Sequence, residues 1–369
     1  MSMKVIISGG GTGGHIYPAI AIADALKALK DDIEILFVGA EGKMEMDKVP
    51  QAGYRIEGLP IAGFQRKLTS KNLMFPIKLL RSMRKARNIV KNFRPDIAVG
   101  VGGYASGPVL RVANRNNIKT VIQEQNSYPG ITNRILSRSA TAICVAYDGM
   151  ENFFPKDRII MTGNPVRQDI NYLGGKKAEA YKLFGLDPEK KTILVMGGSL
   201  GAKTLNDALT NAFDLIAHHT DIQWIWQSGS FYKGLYDHCP LAMLPNVINM
   251  SFIERVDMAY ACADLIIGRA GALTISEICV TGKPSILIPS PNVTEDHQTK
   301  NAMALVRKNA ALMVTDIEAP DRLVLETIAC VKDISRLNEL SSNALALGKP
   351  EAAKEIAQTI ISLIENKNN

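Results

Sequence analysis

The sequence predicts two α/β domains, each a doubly wound parallel sheet of the Rossmann type, that face a central cleft. A run of β-forming residues, Lys4 to Ser8, leads through a glycine-rich turn into a segment with helical spacing. The same succession of strand, glycine turn and helix begins again at Thr192. A chain of 369 residues also exceeds what one hydrophobic core usually supports, which favours two domains.

The first domain, expected over residues 1–166, alternates strands with helical stretches. After the opening strand, further strands are predicted at 33–38, 97–101, 120–123 and 142–145. Right-handed crossovers between successive strands of this kind make the strands parallel. We therefore expect a parallel sheet covered by helices on both faces.

The second domain, expected over residues 167–348, repeats this pattern. Its strands are predicted at 192–196, 223–227, 247–250, 265–267 and 285–288. The remaining C-terminal stretch has helical period, with apolar residues on one side: Ala353, Ile356, Ile360 and Ile364. We expect this stretch, about 349–369, to pack back onto the first domain.

Composition argues against several classes of protein. The five cysteines are scattered, odd in number and without C-x-x-C spacing, which argues against a disulfide framework or a zinc site and favours a reducing, cytoplasmic compartment. The N-terminal strand runs straight into glycines and so does not resemble a signal peptide. No apolar run is long enough to span a bilayer. Any membrane contact is therefore expected to be peripheral.

The net charge of +7 is concentrated in one segment. Residues 58–95 contain ten Lys or Arg and no Asp or Glu, so the rest of the chain carries +7 − 10 = −3. Between 66 and 91 the cations are interspersed with apolar residues: Leu73, Met74, Phe75, Ile77 and Leu80. This mixture favours a membrane surface containing anionic lipid. The alternatives are a solvated basic helix, with Leu79, Met83, Ala86 and Val90 in the core, and a scaffold that binds nucleic acid, although no RNA-binding motif accompanies the segment.

The first glycine turn, Gly9 to Gly14, contains G-x-G-x-x-G between a strand and a helix. Glycines allow positive φ and let backbone N–H groups approach an anion at the helix N-terminus. His15 follows and is a candidate general base or phosphate ligand, with a structural histidine as the alternative. A nicotinamide-dependent oxidoreductase, with Glu41 on the ribose, is a second interpretation of this turn.

Two further segments in the second domain have the same chemistry. Gly197 to Gly201 forms another glycine turn, in which Ser199 offers a hydroxyl. Gly268 to Glu277 follows a strand and opens a helix. Here Arg269 could pair with a diphosphate and Glu277 could accept hydrogen bonds from a vicinal diol such as a ribose. The alternatives are a packing turn and an ion pair on a helix face.

Six motifs occur in the order and spacing of one family: Gly10 to His15, Glu124 to Asn126, Gly163 to Arg167, Gly197 to Ser199 with Gly201-Ala202, Gly271 to Glu277, and His297-Gln298. From about residue 3 to residue 345 the chain resembles the MurG family, the bacterial transferases that move N-acetylglucosamine from UDP-N-acetylglucosamine to lipid I and form lipid II. The resemblance implies a fold of the glycosyltransferase B type and a role in peptidoglycan synthesis, cell shape and division. It also implies an undecaprenyl-diphosphate-linked acceptor at the cytoplasmic face of the inner membrane.

The resemblance also implies which residues contact the donor: Thr12, Gly13, Gly14, Asn126, Arg167, Ser199, Ile253, Arg269, Ala272, Leu273, Thr274, Ile275, Ser276, Glu277 and Gln298. In that picture the backbone of Ile253 reads the uracil and Glu277 holds the ribose. The diphosphate is expected at Ser199 and Arg269. The sugar is expected at Gln298 and Asn126. Some family members have Gln-Gln where this chain has His297-Gln298, so the role of position 297 stays open.

The implied chemistry is direct displacement at the anomeric carbon with inversion. No Asp-x-Asp occurs in the sequence, so helix N-termini, Ser199 and Arg269 are expected to stabilise the departing UDP without metal or other cofactor. His15 is the expected general base, with Glu124 as the alternative. A UDP-N-acetylglucosamine 2-epimerase on the same fold is a rival interpretation, but its acidic catalytic set is not evident.

Overall fold

The computed structural model describes residues 2–61, 75–293 and 296–366. The chain divides into two compact units, Met1–Arg167 with Pro350–Asn369, and Gln168–Lys349. Each unit is built around its own parallel sheet. The prediction of two Rossmann-like parallel-sheet domains is confirmed.

The described part of the first unit has a seven-stranded sheet of order β3-β2-β1-β4-β5-β6-β7. Its strands are β1 (Lys4–Ser8), β2 (Glu34–Ala40), β3 (Arg55–Leu59), β4 (Ile97–Gly100), β5 (Lys119–Glu124), β6 (Ala142–Val145) and β7 (Ile159–Met161). Its helices are α1 (Gly13–Leu29), α2 (Glu45–Gln51), α3 (Phe75–Phe93), α4 (Ser106–Arg115), α5 (Ile131–Leu136) and, from the end of the chain, α15 (Ala352–Glu365). All strand pairs are parallel.

The two faces of this sheet have separate cores. On one face α15 packs against α1, and its Ile356 and Ile360 are buried beside Ile22 and Leu26. On the other face α3 and α4 supply the core that includes Val90 and Leu110. The sheet is thus covered on both sides, which is why its strands are almost continuously apolar.

The described part of the second unit has a six-stranded sheet of order β10-β9-β8-β11-β12-β13. Its strands are β8 (Lys191–Met196), β9 (Ile222–Gln227), β10 (Val247–Met250), β11 (Leu265–Gly268), β12 (Ser285–Leu287) and β13 (Leu312–Met313). Its helices are α6 (Gln168–Asn171), α7 (Lys177–Phe184), α8 (Lys203–Asn211), α9 (Phe213–His218), α10 (Val256–Cys262), α11 (Ala272–Thr281), α12 (His297–Val306), α13 (Ala319–Lys332) and α14 (Ile334–Ala346).

Strand order reverses at the first strand of each unit. β1 lies between β2 and β4, and β8 lies between β9 and β11. Ligands of open α/β sheets bind in the crevice outside the carboxyl ends of the strands at such a reversal. The two glycine turns, after Ser8 and after Met196, both begin there. Within the described ranges no helix is long and apolar enough to cross a membrane.

Candidate functional site

A buried carboxylate accepts a hydrogen bond from the first glycine turn and holds the turn in place. The backbone N–H of Gly11 donates to Oε2 of Glu45 at 2.9 Å, and that of Ala40 donates to Oε1 at 3.0 Å. Glu45 is 1% exposed. Gly10 and Gly11 have φ of 146° and 88°, where a side chain would be strained, and a β-carbon at Gly10 would overlap the Glu45 carboxylate. A negative charge therefore lies directly behind this turn.

His15 is fixed from two sides. Nδ1 of its ring lies 3.1 Å from the hydroxyl oxygen of Thr12. The turn after β4 packs against the ring, since a β-carbon at Gly102 would lie 2.8 Å from Nε2. Gly103 approaches Gly10 so closely that a β-carbon there would overlap the Gly10 carbonyl. A proton on Nδ1 shared with Thr12 would leave the lone pair of Nε2 to accept another proton.

Glu124, the alternative base, is instead surrounded by donors. Its carboxylate is buried and accepts hydrogen bonds from the backbone N–H groups of Asn126 and Gly130 at 3.0 and 3.1 Å. The side-chain amides of Asn126 and Asn133 donate to it at 3.2 and 2.9 Å. Burial raises the pKa of Glu124, and these hydrogen bonds oppose the rise. These hydrogen bonds join Glu124 to the loop between β5 and α5.

Replacing Glu124 with glutamine is expected to destabilise the protein. An amide NH₂ would face donors that now meet a carboxylate oxygen, which costs about 2 kcal/mol of unfolding free energy. Chemical denaturation of the variant measures this loss. A variant of unchanged stability that had lost turnover would instead identify Glu124 as the base.

A buried amide network brings the other motifs of the first unit to the same edge of the sheet. Gln123 donates through Nε2 to Oδ1 of Asn164 at 2.9 Å, and Asn164 donates through Nδ2 to the Gln125 carbonyl at 2.9 Å. The guanidinium of Arg167 lies 5.9 Å from the ring centroid of Tyr17, on α1. Three of the six motifs therefore meet around the N-terminus of α1.

The second glycine turn, residues 197–201, is open to solvent, whereas the first glycine turn contacts the carboxylate of Glu45. Ser199 is exposed, and its carbonyl accepts hydrogen bonds from the N–H and hydroxyl of Ser230 at 3.1 and 2.9 Å. Gly201 has φ of 87° and packs directly on Gly229. Among the described residues no carboxylate is bonded to the amides of this turn. The N–H of Gly201 donates to the Gly198 carbonyl at 2.9 Å, and the remaining amides of this turn are better placed than those of the first turn to meet an anion.

Glu277 lies on α11, where Tyr260 orients it. The helix begins after Gly271 without an acidic side chain in its first turn, so its N-terminal amides favour an anion. Glu277 is 8% exposed, and the hydroxyl of Tyr260 donates to its Oε2 at 3.2 Å. Ser276 donates its hydroxyl to the Ala272 carbonyl at 2.9 Å. The predicted donor residues 272–277 thus form the first two turns of one helix.

Arg269, predicted to contact the diphosphate, binds backbone carbonyls and a carboxylate of the protein in this structure. Its Nη1 donates to the carbonyls of Ile288 and Pro289 at 3.2 and 3.3 Å and forms an ion pair with Asp316. Oδ2 of Asp316 also accepts a hydrogen bond from the hydroxyl of Thr204 at 3.0 Å. Backbone carbonyls and a carboxylate from later in the chain therefore bind Nη1 of the guanidinium, and sequence spacing does not show them. Contact of Arg269 with a diphosphate stays a prediction.

The remaining predicted residues line the loops after β10 and β12. The N–H of Ile253 donates to Oε1 of Gln227 at 3.0 Å. Gln298 lies in the first turn of α12, and its Oε1 accepts a hydrogen bond from the N–H of Ser290 at 2.9 Å. We therefore expect Gln298 to contact a sugar through its Nε2 hydrogens. Gln227 and Glu45 were not predicted from the sequence. A polar residue ending the apolar strand β9 was the available signal for Gln227.

Other features bear on the alternative functions. Glu41, the possible ribose ligand of a nicotinamide enzyme, pairs with Lys85 at 2.8 Å instead. In the described ranges, no cluster of three or more His, Cys, Asp or Glu side chains could hold a metal ion.

Comparison with known proteins gives one consistent result. The chain matches the glycosyltransferase family 28 N-terminal domain over residues 5–145 and the C-terminal domain over residues 192–360. It is 55% identical to the UDP-N-acetylglucosamine--N-acetylmuramyl-(pentapeptide) pyrophosphoryl-undecaprenol N-acetylglucosamine transferase of Bacteroides thetaiotaomicron, over 99% of each chain.

Solved structures agree. The crystal structure of MurG from Acinetobacter baumannii is similar with a TM-score of 0.77 and 28% identity, covering 98% of this chain and 99% of that one. A UDP-GlcNAc 2-epimerase from Neisseria meningitidis, bound to UDP-GlcNAc, has a TM-score of 0.68 at 16% identity, over 98% and 100% of the two chains. The likeness to the epimerase shows a shared fold alone.

Proposed function

The chain belongs to glycosyltransferase family 28, and from this membership and the two glycine turns we propose how it acts. It is a glycosyltransferase that moves N-acetylglucosamine from UDP-N-acetylglucosamine to the 4-hydroxyl of the muramoyl sugar of lipid I and so forms lipid II for peptidoglycan synthesis. The observation that carries this conclusion is identity of 55% over 99% of the chain to a transferase of that name.

The donor binds in the second unit. Its nucleotide diphosphate lies against the amides of residues 198–200 in the open turn and against the N-terminus of α11, where both the turn and the helix favour negative charge. The first turn is less suitable because the carboxylate of Glu45 already takes the N–H of Gly11. Glu277, held by Tyr260, accepts hydrogen bonds from the ribose hydroxyls. We assign binding of the acceptor to residues 1–167.

The departing UDP gains negative charge in the transition state. Fixed amide dipoles, with the hydroxyl of Ser199, stabilise that charge without having to reorganise. Arg269 acts indirectly, because its contacts with Ile288 and Pro289 hold the loop that Gln298 also contacts. In this account no metal ion takes part.

The acceptor hydroxyl must lose a proton as it attacks. Nε2 of His15 accepts this proton while Thr12 holds the opposite ring nitrogen. Glu124 does not compete for this role, since its oxygens are occupied by the loop amides.

The direct test of the reaction is a product assay. Purified protein is incubated with UDP-N-acetylglucosamine and a short-chain lipid I analogue in the presence of chelator. We expect a disaccharide with a β linkage to the muramoyl 4-hydroxyl, identified by mass spectrometry and NMR. Formation of UDP-N-acetylmannosamine without any disaccharide would instead identify an epimerase.

A basic helix provides the membrane contact of this peripheral enzyme. On α3, Ile77 and Leu80 are 50% and 59% exposed among exposed cations. Ala86 and Val90 are buried in the core, as one alternative predicted, whereas Leu79 from the same predicted stripe is 36% exposed. Arg66, Lys67, Lys71, Leu73 and Met74 lie outside the described residues. The mixture of exposed apolar and basic side chains fits an anionic lipid surface.

Removing charge from α3 is expected to release the protein from anionic vesicles. Each Lys or Arg near such a surface contributes about 1 kcal/mol, so the triple variant Lys78→Ser, Arg81→Ser, Arg84→Ser should bind about a hundredfold more weakly. Sedimentation with phosphatidylglycerol vesicles measures this change. The matched control, Lys182→Ser, Arg307→Ser, Lys308→Ser, removes three exposed cations from the second unit and should bind as the wild type does. Equal losses in both variants would contradict a specific role for α3.

A further inference from the structure

We propose that Gln227 positions two donor-binding loops of the second unit, an inference that rests on the proposed function. Gln227 is the last residue of β9 and is 4% exposed. It pairs in register with Met196 at the end of β8 and with Met250 at the end of β10. Its side chain therefore stands where the turn 197–201 and the loop to Ile253 both leave the sheet.

The amide of Gln227 makes one hydrogen bond to each loop. Nε2 donates to the carbonyl of Gly198 at 2.9 Å, and Oε1 accepts from the N–H of Ile253 at 3.0 Å. One partner is an acceptor and the other is a donor. Glutamine has both kinds of group at this length, whereas glutamate has two acceptors and leucine has neither. The residue type is thus matched to this pair of contacts.

These two loops serve opposite ends of the donor nucleotide. In the proposed donor site the turn 197–201 contacts the diphosphate, and Ile253 contacts the uracil through its backbone carbonyl, since its N–H is donated to Gln227. A buried amide with both ends paired fixes the spacing between the loops, because breaking either bond would leave a buried polar group unsatisfied. A fixed spacing favours a ligand that reaches both loops. Gln227 therefore strengthens binding of UDP more than binding of uridine, which has no diphosphate and so reaches only one of these two loops, the loop at Ile253.

Gln227 is a positioning residue in this account, since it acts through Gly198 and Ile253. Its effect should fall on donor binding and leave the chemical step nearly unchanged. The KM for UDP-N-acetylglucosamine should rise about tenfold in Gln227→Glu, while kcat stays within about threefold.

Two variants and one control separate this role from general stability. Gln227→Glu has the same shape and keeps an acceptor for Ile253, whereas Gln227→Leu loses both bonds and adds no charge. The control is Gln223→Glu at the other end of β9, where the buried amide donates to the Asp187 carbonyl at 2.8 Å and to the Thr192 hydroxyl at 2.9 Å. This change also removes an amide donor, but away from the carboxyl end of the strand.

Affinities for UDP and uridine are measured by calorimetry, the latter by competition, alongside thermal unfolding. We expect UDP to bind about tenfold more weakly to both Gln227 variants and as in the wild type to Gln223→Glu. Uridine should be weakened less than twofold in Gln227→Glu and about fivefold in Gln227→Leu. If the leucine variant does not fold, Gln227→Met takes its place, because it also lacks the amide and adds no charge, whereas the carboxylate of Gln227→Glu also repels the diphosphate.

Unchanged UDP affinity in a folded Gln227→Glu variant would overturn the inference, as would equal losses for UDP and uridine in that variant. A wild-type protein that does not bind UDP at all would contradict the proposed donor itself.

Discussion

Replacing His15 with alanine is expected to lower kcat about a thousandfold, because a positioned general base contributes 10²–10⁴ to such a reaction. The affinity for UDP should stay within about twofold of wild type, since the contacts proposed above for the nucleotide lie on residues of the second unit. Steady-state kinetics with a lipid I analogue measures the first quantity. Calorimetry with UDP measures the second.

Two further variants define the role of His15. Thr12→Val removes the hydroxyl that lies 3.1 Å from Nδ1 and should lower kcat about tenfold, since the ring keeps its base but loses its orientation. His218→Ala removes an exposed imidazole on α9 and should leave kcat unchanged. Turnover of His15→Ala within about tenfold of wild type would exclude His15 as the base.

Replacing Glu277 with glutamine is expected to raise the KM for UDP-N-acetylglucosamine about a hundredfold. The carboxylate accepts charge-assisted hydrogen bonds from the ribose, and each is worth about 1.5 kcal/mol or more. Tyr260→Phe removes a single donor to that carboxylate and should raise KM about fivefold. Initial-rate kinetics over a range of donor concentration gives both values.

A deoxyribose analogue shows whether the effect arises at the ribose. With 2′-deoxy-UDP-N-acetylglucosamine the wild type should lose about tenfold in kcat/KM, whereas Glu277→Gln should lose little more on the same change. Glu189→Gln, in the exposed turn before β8, is the matched control and should behave as the wild type does. Full additivity of the two losses would place the ribose away from Glu277.

The sequence predicted the strands that are continuously apolar and the edge strand β10, but it missed the other three edge strands, β3, β7 and β13. β1, β4 and β8 are buried on both faces, and their runs of apolar residues predict strands. β3 has alternating polar residues and is partly exposed at one edge, while β7 and β13 are only three and two residues long. Short or half-polar edge strands give too weak a periodic signal.

The glycine turns were predictable because their chemistry is local. Five glycines in six residues between a strand and a helix predict a tight turn at the helix N-terminus without knowledge of anything distant. The contacts that organise these turns are not local. Glu45 reaches Gly11 across 34 positions, Gln227 reaches Gly198 across 29, and Asp316 takes Arg269 across 47. Only the folded chain shows which polar side chain meets which backbone group.

A crystal structure with UDP, grown in the presence of chelator, tests the central claim most directly. We predict the diphosphate against the amides of 198–200 and the N-terminus of α11, with the ribose hydroxyls on Glu277. A nucleotide bound on the first glycine turn, or one that binds only when a divalent ion bridges it to the protein, would contradict the account.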